Sequence, residues 1–177
     1  MIQNSFGEYA CSAGGYITLR AFDQQQLVGF DLAPASVLCS RQNMRRIQRF
    51  LEFGDTKIRR PEVFAGLGAD LLQEALEKDY AIVDEFGGLE LLVPQFKEAL
   101  QNLLLSPVPC IGVFKTQNAS NTLIRHMGLN ISYESAYEEM HKFLLENPET
   151  EILHTTGRYD LIAREKVLAW TKTYVRK

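Results

Sequence analysis

The sequence predicts an α/β fold built on a parallel sheet, and two apolar runs with helical patterns around them carry that expectation. Tyr80-Ala81-Ile82-Val83 and Cys110-Ile111-Gly112-Val113-Phe114 are continuously apolar, as strands buried between two helix layers are. Ahead of the first run, Phe64, Leu67, Gly68, Leu71, Leu72 and Ala75 recur at helical spacing. Between the two runs, Phe96, Leu100, Leu103 and Leu104 do the same. Helix, strand, helix, strand with short links is the pattern of a parallel sheet.

The bulk numbers fit this class. The chain has 177 residues, 46% hydrophobic and 23% charged, ordinary proportions for a globular protein with a sizeable core. We expect one α/β domain over residues 1–177, with an N-terminal hairpin region at 14–60 and a parallel α/β core at 61–177. The net charge of −3 gives no general attraction to nucleic acid or an anionic membrane. No apolar run approaches the roughly 18 residues of a membrane span. The N-terminus lacks the basic and apolar regions of a secretory signal. Cys11, Cys39 and Cys110 are odd in number and share no paired spacing, so reduced thiols in a cytoplasmic protein are expected.

Taken in order, Gly15–Phe22 and Gln26–Ala33 are β-rich and joined by polar residues, which predicts an antiparallel hairpin. From Pro34 to Arg60 the pattern fits an amphipathic helix or two short strands around a turn at Asn43, and periodicity does not choose between them. Pro61 and Pro94 each stand where a helix opens. The GLGAD stretch from Gly66 to Asp70 falls inside the first helical stripe, where its glycines suit close helix packing. Beyond Lys115 a polar loop leads to a short helix through Leu123, Ile124 and Met127. Ser135 and Glu138 form a capping-box pattern for a helix reaching about Leu145. Glu151–Thr156 is expected as a third short parallel strand, and Ala163, Val167, Trp170 and Tyr174 stripe a C-terminal helix.

The chemistry concentrates where the first apolar run stops. Asp84 and Glu85 follow Val83 directly, and Gly87 and Gly88 come next. Acids at the C-terminal end of a buried parallel strand sit where open α/β sheets place their ligands. A strand ending in a solvated acidic turn has the same pattern. Elsewhere, Arg41, Arg45, Arg46, Arg49, Lys57, Arg59 and Arg60 face only Glu52 and Asp55, so residues 41–60 carry +5 and the remainder −8. This segment is either a nucleic-acid patch or a solvated face. The solvated face is favoured, because no aromatic platform is interleaved with the charges. His126, His141 and His154 lack metal-ligand spacing. His141 shares the Tyr137, Met140 and Leu144 face and is expected to pack, and Cys110 is expected in the core.

The run DYAIVDEFGGLEL resembles the acidic motif "[IV]-D-E-[IL]-G-x-M-E-L" of small P-loop nucleoside-triphosphatases, matched here at Val83, Asp84, Glu85, Phe86, Gly87, Leu89, Glu90 and Leu91. Upstream, the Ala13–Ala33 hairpin is similar to that family's "G-F-x-T…GF" segment. Downstream, Thr155–Leu161 looks like a variant of its "T-x-x-N-R-D-x-L". Gly157 replaces Asn, Tyr159 splits Arg158 from Asp160, and Phe86 and Leu89 replace Ile and Met. The resemblance spans Gly14 to Lys166, with an apparent insertion at Asn130–Pro148.

The resemblance implies a truncated P-loop NTPase-like, three-layer parallel sheet with an antiparallel hairpin near the N-terminus. It implies Mg²⁺ with ATP or GTP as cofactor, held through Asp84, with Glu85 as the catalytic carboxylate that orients or deprotonates the attacking water. As cofactor-binding residues, Arg158 would pair with a nucleotide phosphate and Glu90 would stand behind the metal; equally, Arg158 caps the sheet and Glu90 is a helix-start acid. The family opens with a strand, a G-x-x-G-x-G-K-[ST] phosphate loop and a helix, whereas these 177 residues contain no Gly-Lys dipeptide. The expected protein therefore retains the acidic motif without the loop and does not hydrolyse nucleotides alone. A companion chain or self-association would cover the missing strand. The other function class is a non-catalytic partner-binding module on the same fold.

Overall fold

The computed structural model describes residues 12–39, 46–116, 118, 124–125, 129–155 and 160–175. One six-stranded sheet organises them. Its strands are β1 (Ala13–Asp23), β2 (Gln26–Pro34), β3 (Gln48–Phe53), β4 (Lys57–Arg59), β5 (Tyr80–Phe86) and β6 (Cys110–Phe114), in the spatial order β4-β3-β2-β1-β5-β6. The helices are α1 (Ala69–Glu74), α2 (Pro94–Leu105), α3 (Asn130–Glu146) and α4 (Leu161–Tyr174). A π-helical turn, Phe64–Gly68, leads into α1, and a 3₁₀ turn, Ala75–Glu77, leaves it.

The predicted hairpin is present. β1 and β2 pair antiparallel from Tyr16↔Pro34 to Asp23↔Gln26. Gln24 and Gln25 both have positive φ, the backbone of a two-residue turn whose twist matches the strands it joins. The expected parallel sheet is corrected to a mixed one. β1 runs parallel to β5, and β5 to β6. β2 continues the hairpin antiparallel into β3, and β3 into β4. The Pro34–Arg60 segment follows neither alternative: Ala35–Leu38 is a 3₁₀ turn, and the two strands that follow, β3 and β4, turn through 54–56 rather than around residue 43. Asn43 lies outside the described residues.

Glycine lets the two halves meet. Gly15 has φ +82°, and a Cβ there would lie 2.1 Å from the Ile82 carbonyl oxygen. A Cβ on Gly14 would lie 2.5 Å from the Ala75 Cα. No other residue allows β1 this close to β5 and to the end of the helix.

Helices cover both faces. On one, Tyr16, Leu32, Ala81 and Val83 pack with Leu71 and Leu72 of α1, Phe96, Leu100 and Leu103 of α2, and Met140 and Leu144 of α3. A chain of rings runs through this layer, Phe50 to Phe64 to Phe96 to Tyr16, with centroids 4.9, 5.3 and 5.8 Å apart. On the other face Ile17, Ala33, Tyr80 and Ile82 pack against Ala35 and, from α4, Val167 and Trp170. Trp170 meets Tyr80 edge to face at 6.0 Å. The GLGAD glycines divide: a Cβ on Gly68 would press on the Phe96 ring at 3.0 Å, whereas Gly66 faces open space.

Four further expectations are corrected. Residues 151–155 form no strand; only Ile152 of that segment packs on the core, and one apolar anchor does not hold a strand against water. α3 begins at Asn130, so Ser135 lies inside it and caps nothing. Burial of Tyr133, just ahead of Ser135, outweighs the local capping pattern. β6 is an edge strand with Gly112 and Val113 exposed, not a fully buried one. Cys110 is partly buried but packs on the core, and burial pushes its thiol up to about 12. Cys39 is disulfide-bonded rather than reduced, and Cys110 is free. Of the short helix expected at 123–127, only residues 124 and 125 are described, both helical. No helix among the described residues is long and apolar enough to cross a membrane.

Phe96 is fully buried where α2, Phe64 and Tyr16 converge. Phe96→Ala should therefore cost about 3–5 kcal/mol of stability, measured by urea unfolding; a loss below about 1 kcal/mol would contradict the packing.

Candidate functional site

β5 delivers its two acids into an irregular edge. The β1–β5 ladder ends at Tyr16↔Val83, and the β5–β6 register shifts between Val83 and Phe86. Asp84 and Glu85 occupy this bulge. Extra residues of this kind re-aim side chains at sheet rims.

Asp84 is buried. Its Oδ2 accepts from the Thr18 backbone N–H at 3.3 Å, and its carbonyl accepts from the Thr18 hydroxyl at 3.4 Å. The carboxylate thus continues the ladder to β1 where the backbone of β5 leaves it. Glu85 has φ +55°, a left-handed conformation that costs a non-glycine residue roughly 1–2 kcal/mol. Its side chain faces solvent and pairs with the Lys115 ammonium at 3.2 Å. Lys115 follows β6 directly, so the pair ties together the carboxyl ends of the two parallel strands.

Glu90 turns inward. It is buried in the short 3₁₀ turn Leu89–Leu92, and its Oε1 accepts from the Gly88 N–H at 2.6 Å. This closes the loop after β5, and a Cβ on Gly88 would lie 2.7 Å from Glu90 Oε2. Arg59 of β4 lies within electrostatic reach of Glu90; burial pushes its guanidinium down and Glu90 opposes that. Arg158 lies outside the described residues. Among the described residues, no three His, Cys, Asp or Glu side chains come together as a metal-binding group.

Three tyrosines belong to this region, and sequence reading assigned none of them to it. Tyr16 is fully buried, and among the described residues its hydroxyl has no hydrogen-bond partner. Burial pushes its phenol well above the usual value, and Glu90 and Asp84 add to the shift. Tyr133 of α3 donates to the Gly87 carbonyl at 2.7 Å, and Tyr137 to the Lys115 carbonyl at 3.0 Å. Phe114 lies between Phe86 and Tyr137, at 5.1 and 4.9 Å between centroids. His141 stacks on the same Phe114 ring at 5.9 Å, so it packs as expected. α3 is therefore fastened across the loops at the carboxyl ends of β5 and β6. The hydrophobic face of α3 was readable in the sequence, but nothing there showed which loops the phenol groups would reach.

The basic segment is largely neutralised where it is described. Arg46 pairs with Glu74 at 2.8 Å, Arg60 with Glu52 at 2.6 Å, and Arg49 with Asp31. Lys57 sits over the Phe53 ring at 5.9 Å. Arg41 and Arg45 lie outside the described residues. A cleft of about 210 Å³, lined by Gly14, Ser36, Arg46, Glu74 and Lys78, lies at the amino ends of β1 and β5, away from the acids.

Two substitutions report on this geometry. Glu85→Gly removes the left-handed penalty and should raise stability by up to about 1 kcal/mol in urea unfolding, despite loss of an exposed ion pair; destabilisation would contradict the strained backbone. Tyr16→Phe removes a buried hydroxyl without a partner and should leave stability unchanged or raise it by about 1 kcal/mol. A fall of that size instead would reveal a partner for the hydroxyl.

A family model described as NTPase matches residues 2–134 of the chain. No curated protein and no solved structure matches it.

Proposed function

Because the chain belongs to the NTPase family, whose P-loop-like α/β architecture its mixed sheet is consistent with, we propose that it carries the acidic half of a magnesium–nucleoside triphosphate site. The observation that supports this most is the bulge at the carboxyl end of β5. There a strained Glu85 and a buried Asp84 stand side by side, at the edge where parallel sheets receive ligands.

In this reading Asp84 would hold Mg²⁺, and Glu85, paired with Lys115, would orient the attacking water. Bound Mg²⁺ would supply charge neutralisation at the phosphates. The donor chemistry suits that ion, which typically takes one or two protein carboxylates together with waters and substrate phosphates. A cluster of three acids is not required. Glu90 acts indirectly, by bracing Gly88 and so the loop beneath the ligand. Arg158 pairs with a nucleotide phosphate. Residues 1–177 contain no Gly-Lys dipeptide, so the phosphate-holding loop comes from a companion chain or segment, and these residues alone do not hydrolyse ATP or GTP.

A second reading, a non-catalytic partner-binding module, draws support from α3. Its phenols cover the Gly87 and Lys115 carbonyls, at the rim a nucleotide would approach.

Two measurements separate these readings. Titration calorimetry with Mg·ATP and Mg·GTP should show weak binding or none, and tight binding would sink the half-site proposal. Mn²⁺ added to the ¹⁵N-labelled chain should selectively broaden the amide signals of Phe86 to Gly88, and Asp84→Asn should abolish the effect. Broadening that is absent, or spread over all surface acids, would favour the binding module.

A further inference from the structure

Among the described residues four tyrosines are buried, and three of them have a hydrogen-bond partner. Tyr133 donates to the Gly87 carbonyl, Tyr137 to the Lys115 carbonyl, and Tyr80 bonds with Ser12. Tyr16 is the exception. Its side chain is fully enclosed, and its hydroxyl meets no partner among the described residues. A buried hydroxyl left unsatisfied is destabilising, and in a native protein it marks a place for an ordered water or an ion. Packing does not account for the oxygen. The other rings of the chain from Phe50 through Phe64 and Phe96 to Tyr16 are phenylalanines, and a phenyl ring at position 16 would fill the same space.

The hydroxyl also lies at the acidic edge. Tyr16 pairs in register with Val83, the residue before Asp84. Two residues further along β1, the Thr18 N–H donates to the Asp84 carboxylate. The Tyr16 ring packs on Phe96 of α2. The 3₁₀ turn Leu89–Leu92, just ahead of α2, sets Leu91 in the same layer and carries the buried Glu90. Of the ionisable groups acting on the phenol, Glu90 is the strongest and Asp84 the next. Two buried carboxylates therefore lie within electrostatic reach of one unpartnered buried hydroxyl. Ionised carboxylates only accept hydrogen bonds, whereas a hydroxyl both donates and accepts. A hydrated cation suits all three, with positive charge for the acids and polarised water protons for the phenol oxygen. Mg²⁺ sheds its waters reluctantly and so brings such protons with it.

We propose that Tyr16 is a positioning residue of the magnesium site, its hydroxyl oxygen accepting a hydrogen bond from water carried by the ion that Asp84 would hold. This role rests on the magnesium reading of Asp84 and extends it to a residue outside the acidic motif. The phenol acts from the interior side, through the ion's water, as the outer partners of metal ligands do.

Mn²⁺ is paramagnetic and suits the same carboxylate and water donors, so it tests the role on the full chain without nucleotide. The electron paramagnetic resonance signal of free Mn²⁺ gives the dissociation constant. Asp84→Asn should abolish binding at the site. Tyr16→Phe should weaken it about tenfold, while its melting temperature without the ion equals or exceeds that of the wild type. In the wild type, Mn²⁺ should broaden the Tyr16 ring signals, identified by their contacts with Phe96, before those of Tyr80 in the opposite layer. Absence of any Asp84-dependent binding would remove the magnesium reading and the role of Tyr16 with it. Asp84-dependent binding that Tyr16→Phe leaves unchanged would overturn the role of Tyr16 alone; a lower melting temperature in that case would assign the hydroxyl to an ordinary buried water. If the variant loses stability and affinity together, the wild-type ring decides, and Tyr16 signals that broaden no sooner than those of Tyr80 would overturn the proposal.

Discussion

The parallel pairing of β1 with β5 joins everything else. Four register pairs, Ala13↔Tyr80 to Tyr16↔Val83, connect an antiparallel half of four strands to a parallel pair. That contact depends on two residues without side chains. Gly15 takes a backbone conformation closed to other residues, against Ile82, and Gly14 admits the end of the α1 segment at Ala75. With a side chain at either position β1 would stand off, Tyr16 would leave the aromatic layer, and the Thr18 N–H could not reach Asp84. The acidic edge is thus a product of strand spacing set at the opposite end of the same ladder.

Much of the fold was legible in the sequence, because local pattern and burial agree there. The hairpin, the α2 stripe of Phe96, Leu100 and Leu103, and the two apolar runs became the expected elements. Failures came where long-range context prevailed. Residues 34–60 carry mixed periodicity because β3 and β4 extend an antiparallel sheet with one face toward the core, so half their side chains are polar. Residues 151–155 look like a strand in composition, yet no described strand lies free to pair with them on a covered edge. β6 reads as a buried strand from its apolar residues alone, although position in a sheet is not written in a strand's composition.

For the candidate site, the sequence showed where chemistry could sit but not how it is held. Asp84 and Glu85 were marked by their place after an apolar run. The bulge that separates their environments, one carboxylate turned in to Thr18 and the other out to Lys115, follows from register with two neighbouring strands. Arg59 and Glu90 approach through the order of the sheet, and Tyr16 through strand alternation. The basic segment misleads in the opposite direction. Its charges cluster in sequence, but Asp31 and Glu74, which neutralise Arg49 and Arg46, come from outside it.

The phenol bonds from α3 have a consequence for rates and affinities. Tyr133 and Tyr137 each close a buried or half-buried carbonyl, bonds worth about 1 kcal/mol apiece net of solvent exchange. A molecule that needs the Gly87 and Lys115 carbonyls uncovered meets a protein that is mostly shut, with the open form a minor population. Its apparent affinity is the intrinsic one scaled down by that population. For a ligand of that kind, the first turns of α3 would set a thermodynamic threshold. Loosening them would strengthen binding without any new contact to the bound molecule.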